Sequence, residues 1–132
     1  MPLLGKEAIL TADDIRTKRV PIPEWGGDVM VRGLTGTERD AWEASLTVQR
    51  GKTRVANMAN FRARLAVLCV VDETGQRVFH DGDIDALAGK SGSALDKIYE
   101  TAAKLSGISD DDVEELTKDF TTETDGGPSS SG

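Results

Sequence analysis

One histidine, His80, and one cysteine, Cys69, set a narrow limit on the chemistry open to this 132-residue chain. A turn and an extended piece separate them, so no zinc-ligand spacing exists. Cys69 lies in the most apolar stretch, where a small buried hydrophobe is expected rather than a nucleophile. Asp81, Asp83 and Asp85 alternate as in a calcium loop. Such a loop then needs glycine at its sixth position and glutamate at its twelfth. Here Ala86 and Gly92 stand there, and the acids read instead as the start of a helix. Gly33-Leu34-Thr35-Gly36-Thr37 has the glycines of a phosphate loop without its lysine; a turn and helix cap explain it. Asp13 and Asp14 fall in a turn-forming cluster. No catalytic, cofactor-binding or metal-ligating residue emerges, so the chain is expected to bind and not to be an enzyme.

Charge is the next guide. From Ala44 to Val71 there is no acid, while Arg50, Lys52, Arg54, Arg62 and Arg64 are basic. The net charge of −7 comes from the end of the chain. Residues 108–132 hold eight acids and one lysine, leaving fifteen acids (23 less 8) and fifteen bases (16 less 1) before them. A neutral body with an acidic interaction tail is the natural reading. The basic stretch Arg50–Arg64 also allows a small nucleic-acid-binding regulator. Its lone aromatic, Phe61, sits on the apolar face, and nucleic-acid footprints are normally strongly basic. A solvated face or a contact with an acidic protein suits it better, and Arg62 can simply snorkel from the core stripe.

The elements that must position these residues follow from length and pattern. One domain fits, with a core of its own. The longest apolar run, Leu65 to Val71, is far too short to span a membrane. No secretory signal pattern opens the chain, and an intracellular protein is expected. Lys6–Leu10 reads as a helical turn. Residues 17–33 read as a β-hairpin turning at Gly26-Gly27, with Pro21 and Pro23 forcing its first strand to an edge. Trp25 beside the turn either caps the core or anchors a partner. Thr35 and Glu38 form a capping box that starts a helix over about 36–49. Gly51 breaks it before a central helix over 53–71, packed antiparallel to the first. In that central stretch Val55, Met58, Ala59, Arg62, Ala66 and Cys69 recur at helical steps, although the β-branched end through Val70 and Val71 leaves a strand open. Further helices are expected over 83–89 and over 93–106, the latter capped by Ser93 and stopped at Gly107. Ser109 starts a last amphipathic piece carrying Val113, Leu116 and Phe120, and residues 121–132 are expected to be disordered. The fold class is mainly α within α+β: a small N-terminal hairpin, a bundle of four to five helices over 1–107, and an acidic tail.

The order of these motifs resembles one family. Residues 29–46 (VMVRGLTGTERDAWEASL) and the run from Arg62 to Leu105, with LAVLCVVDETGQRVF leading into DIDALAGKS and ALDKIYETAAKLSG, are similar to tail assembly chaperones of long-tailed, non-contractile bacteriophages. KEAILTADDI and the VPIPEWGG hairpin extend the likeness over about residues 5–107. The resemblance implies a non-enzymatic factor in the bacterial host cytoplasm, absent from the mature virion. It would coat the tape measure protein, keep it in solution and recruit tail tube subunits, with self-association on the client possible and no cofactor, membrane or nucleic acid. It assigns no residue to binding. On physical grounds alone the candidate client contacts are Trp25, Met30 and Met58, as adaptable apolar groups, and the basic Arg50, Lys52, Arg54 and Arg64.

Overall fold

A computed structural model describes residues 1–118 and 121–122. Strands β1 (Thr17–Ile22) and β2 (Gly27–Arg32) pair antiparallel, with Thr17 opposite Arg32 and Ile22 opposite Gly27. Val20, Ile22 and Val31 point into the core, as period-two alternation requires. The turn is longer than the glycine pair suggested. Pro23–Trp25 form a 3-10 turn closed by Gly26 at φ 76°, while Gly27 already belongs to the ladder. Proline at the first position sets the φ that such a turn uses. Strand β1 is at an edge, as its prolines demand: it stands at one end of a three-stranded sheet, next to β2.

The capping box forms as read: Thr35 Oγ1 accepts from the Glu38 N–H at 3.2 Å, and a Glu38 carboxylate oxygen accepts from the Thr35 N–H at 3.0 Å. Helix α2 (Gly36–Ala44) then stops short of 49. In place of two antiparallel helices the chain makes a second hairpin, β3 (Thr47–Arg50) and β4 (Thr53–Ala56), with Val48 opposite Val55 and Arg50 opposite Thr53. Gly51, taken as a helix breaker, is the left-handed turn residue at φ 61°. Thr47, Val48, Thr53 and Val55 are β-branched, and that preference outweighs the three- and four-residue spacing once a Gly-Lys turn joins them.

The central helix α3 (Phe61–Cys69) is therefore shorter than 53–71. It is buried nearly all round, through Ala63, Leu65, Ala66, Val67 and Cys69. The apolar run ends in strand β5 (Val70–Val71), which pairs antiparallel with β2. A 3-10 turn at Asp81–Asp83 leads into α4 (Ile84–Ala88). Helix α5 (Gly92–Leu105) lies against α3 and the first hairpin, burying Ala94, Leu95, Ile98, Tyr99, Ala102 and Ala103. Ser91 caps it by accepting from the Ala94 N–H at 3.3 Å, so Ser93 lies inside the first turn and is not the cap. Phe61 meets Tyr99 edge-on at 5.2 Å, and Trp42 donates from Nε1 to the Phe61 carbonyl at 3.3 Å. Gly107 ends α5 at φ 72°.

Helix α6 (Asp110–Thr117) has its own capping box at Ser109 and Asp112. The body continues past residue 107: Ile108 is in the core, Val113 packs against it, and Arg39 donates to the Ser106 carbonyl while pairing with Glu43 and Asp112. Beyond it, Thr121–Thr122 form β6, which pairs parallel with Val55 and Ala56, so the segment expected to be disordered begins with a strand. Phe120 and residues 123–132 lie outside the described residues. The architecture of the described residues is thus α+β, six helices with two three-stranded sheets, in place of one hairpin and a bundle.

Candidate functional site

The five basic residues of the acid-free stretch do not form one strip. Arg50, Lys52 and Arg54 share the exposed β3–β4 hairpin. Arg54 is held across the strands, donating from Nε to Thr47 Oγ1 at 3.1 Å and from Nη2 to the Thr47 carbonyl at 3.2 Å. Arg62 leaves this group: it pairs with Asp96 on α5 and stacks 4.6 Å over the Phe61 ring.

Arg64 is built into the frame. Its Nη1 donates to the Ser45 carbonyl at 2.6 Å and to Ser45 Oγ at 2.7 Å, and its Nη2 to the Asn57 carbonyl at 2.5 Å. It ties the end of α2 to the start of α3, and burial lowers its pKa. Its guanidinium therefore faces the backbone around the second hairpin, apart from the three residues on the hairpin itself.

The apolar candidates lie on separate surfaces. Met58 follows β4 and lines a cleft of about 240 Å³ with Phe61, Ala88, Lys90 and Leu95. Trp25 is half-buried and lines a larger, mainly apolar groove of about 520 Å³ with Val78, Phe79, Ala86 and Leu87, between Asp83 and Lys90. It thus both packs on the core and faces solvent. Glu24 helps to hold the turn that carries it, accepting from Lys97 Nζ on α5 at 2.9 Å, a bond that lowers the Glu24 pKa. Met30 is half-buried beside a third depression with Arg19, Asp28 and Glu73. Lys90 borders both the Met58 cleft and the Trp25 groove, so these two adjoin across α4.

Two features escaped sequence reasoning. Val78 and Phe79, passed over as a short extended piece, form one wall of the Trp25 groove. Helix α1 (Lys6–Thr11) buries none of its residues, and Leu3, Leu4, Ile9 and Leu10 stand in solvent. The signal for the second was four large aliphatic residues on a segment too short to have a core of its own.

The groups weighed for chemistry are placed as helix caps and core. Asp83 Oδ2 accepts from the His80 N–H at 2.8 Å, closing the turn before α4. Cys69 is fully buried, and burial pushes its thiol up to about 12. Among the described residues no three His, Cys, Asp or Glu side chains converge as a metal site would need, and no helix is long and apolar enough to cross a membrane.

The fold is similar to that of the bacteriophage HK97 tail assembly chaperone, with a TM-score of 0.55 at 19% sequence identity, over 79% of this chain and 95% of that one. No curated protein matches the chain. The family model of phage tail assembly chaperones matches residues 5–119, nearly the whole of the described body, and the chain belongs to that family.

Proposed function

We propose that this chain binds the tape measure protein of a long-tailed, non-contractile phage, keeps it in solution and helps bring tail tube subunits to it. It acts in the host cytoplasm and leaves before the virion is complete. Family membership supports a role in tail assembly, and the family is a class of non-catalytic chaperones. The observation that carries the client reading is the pairing of a cleft of mixed character, apolar at Met58 and Phe61 and polar at Asn60, Arg62 and Lys90, with a basic hairpin. The half-buried Met58 and Phe61 offer apolar contact, and the exposed Arg50, Lys52 and Arg54 stand on the hairpin that leads into it. That pairing suits an amphipathic client helix carrying acids. A client coated in this way exchanges exposed apolar surface for the chaperone's charged outer face.

The test is co-expression of the tagged chain with the neighbouring tape measure protein, followed by size exclusion. The expected result is a soluble complex with many chaperone copies per client, lost when Met58→Asp is combined with charge reversal of Arg50, Lys52 and Arg54. A client that stays insoluble beside free chaperone defeats the reading. The basic hairpin also gives the nucleic-acid alternative its one specific observation. A mobility shift of the full chain on DNA and RNA, at low and moderate salt, decides between the two.

A further inference from the structure

Strand β4 has two edges, and backbone alternation decides which groups face each. The Asn57 N–H donates to the Leu46 carbonyl at 2.6 Å, so Asn57 faces the β3 side, and so does Val55 two residues before it. The N–H and C=O groups of Arg54 and Ala56 therefore point the other way. Ala56 is 1% exposed, and backbone groups buried to that degree need partners. They find them in β6, where Thr121 lies opposite Val55 and Thr122 opposite Ala56, parallel to β4. In a parallel ladder one residue of each opposed pair bonds to both neighbours of the other. Since Val55 faces β3, that residue is Thr121, set between Arg54 and Ala56.

The second sheet is thus completed by a strand of two residues, whose few bonds are each of modest net worth. An edge that accepts so short a strand offers a longer one more bonds. We propose that β4 is a strand-acceptor edge, filled within the chain by Thr121–Thr122 and taken by an extended, acid-flanked segment of a partner protein that displaces them.

The present occupant and its surroundings define the kind of segment. The two threonines are β-branched and favour extended backbone, and Asp119, Glu123 and Asp125 flank them in sequence. Opposite charge stands nearby: Lys52 and Arg54 lie on the exposed hairpin and meet no carboxylate among the described residues. Arg54 turns to Thr47 on β3, which leaves the β6 side of its strand clear. The edge of the first sheet is built differently. The Arg16 carbonyl accepts from the Gly33 N–H, so Arg16, Lys18 and Val20 face β2 and Pro21 faces outward, with no N–H to offer a new strand. Strand addition at β4 is distinct from a helix in the Met58 cleft and does not rest on the client reading, since it is measured without any tape measure protein.

The experiment uses the full chain carrying Thr121→Pro, which cannot donate to the ladder, with Thr121→Ala as the control that keeps its N–H. Amide hydrogen exchange followed by NMR reads the Ala56 N–H. It should exchange at least about tenfold faster in Thr121→Pro than in the parent, and at the parent's rate in Thr121→Ala. A synthetic peptide of residues 118–126 should restore protection in Thr121→Pro. The same peptide N-methylated at its Thr121 keeps every charge but loses the pairing N–H, and should restore nothing. Equal exchange in Thr121→Pro and the parent overturns the proposal, because β6 then does not cover the edge. Failure of the peptide to protect overturns it too, and so does equal protection by the N-methylated peptide, which leaves charge alone as the attraction. The amides of α3 should exchange as in the parent; if they quicken along with Ala56, β6 is part of the core rather than an exchangeable strand, and the proposal falls.

Discussion

Replacing Glu38 by glutamine separates two tasks held by one side chain. Its carboxylate accepts from Arg32 Nη1 at 2.8 Å and Nη2 at 2.7 Å, joining β2 to α2, and it also accepts from the Thr35 N–H at 3.0 Å. The pair is largely shielded, with Arg32 13% and Glu38 23% exposed. The Arg32 guanidinium holds the Glu38 carboxyl down from 4.5 to about 2, against the opposing effect of burial. A shift of that size corresponds to about 3 kcal/mol, which residual exposure and screening reduce to about 2 kcal/mol. Glutamine still accepts from the Thr35 N–H, since the capping box tolerates it. Glu38→Gln should therefore cost about 2 kcal/mol at neutral pH, and Glu38→Ala about 1 kcal/mol more for the lost cap. The folded-state pKa lies below the unfolded one. The contribution is thus present in full above the unfolded value and drains away as pH falls towards the folded one. Urea unfolding of both chains at about pH 7 and about pH 3 reads this directly; the gap at the lower pH should be less than half that at the higher. An equal gap at both would refute the ion-pair assignment and leave packing as the cause.

Other residues give equally specific outcomes. A Cβ on Gly33 would stand 2.8 Å from the Leu105 carbonyl oxygen, so Gly33→Ala should destabilise by about 2 kcal/mol or more in the same assay, because the obstacle is backbone. Arg64→Ala should cost about 2–3 kcal/mol by leaving the Ser45 and Asn57 carbonyls without their charged donor, and Arg64→Lys should recover little, since an ammonium cannot span both. Removing residues 119–132 takes away the strand on β4 and the acids Asp119, Glu123 and Asp125. An acidic tail opposite in sign to the basic hairpin would shield it until a client arrives, so the deletion should raise affinity for the proposed tape measure client at low salt; unchanged affinity refutes that shielding. Cys69 should resist a thiol reagent in the native chain and react promptly in denaturant, whereas native reactivity would contradict its burial.

What the sequence made legible was whatever depends on neighbours in the chain. The Thr35–Glu38 box, the Gly107 stop, the acids before α4 and the edge position of β1 are local consequences of residue type, and each appears in the structure. The second hairpin failed for a physical reason. Val55, Met58, Ala59 and Arg62 satisfy a helical period, yet Thr47, Val48, Thr53 and Val55 prefer extended backbone, and Gly51 serves as breaker or as turn. Tertiary contacts decide: Arg64 closes the carbonyl end of α2 at Ser45, and the Asn57 N–H donates to the Leu46 carbonyl at 2.6 Å. Neither partner is near in sequence.

The binding candidates divide along the same line. Charge pattern placed Arg50, Lys52 and Arg54 together because a hairpin of adjacent residues keeps them together. It also grouped Arg62 and Arg64 with them, although one turns to Asp96 and the other to backbone carbonyls, because where a long side chain turns is a tertiary fact. The Trp25 groove was legible only at Trp25; Val78, Phe79 and Leu87 reach it from a loop and a short helix far along the chain. The N-terminal arm reverses the lesson. Its helix was readable, but its lack of any core to bury Leu3, Leu4, Ile9 and Leu10 emerges only from the whole fold. An apolar segment left in solvent by its own fold is surface that association with a partner would bury. Surface of that kind therefore tells more about partners than the basic stretch that first drew attention.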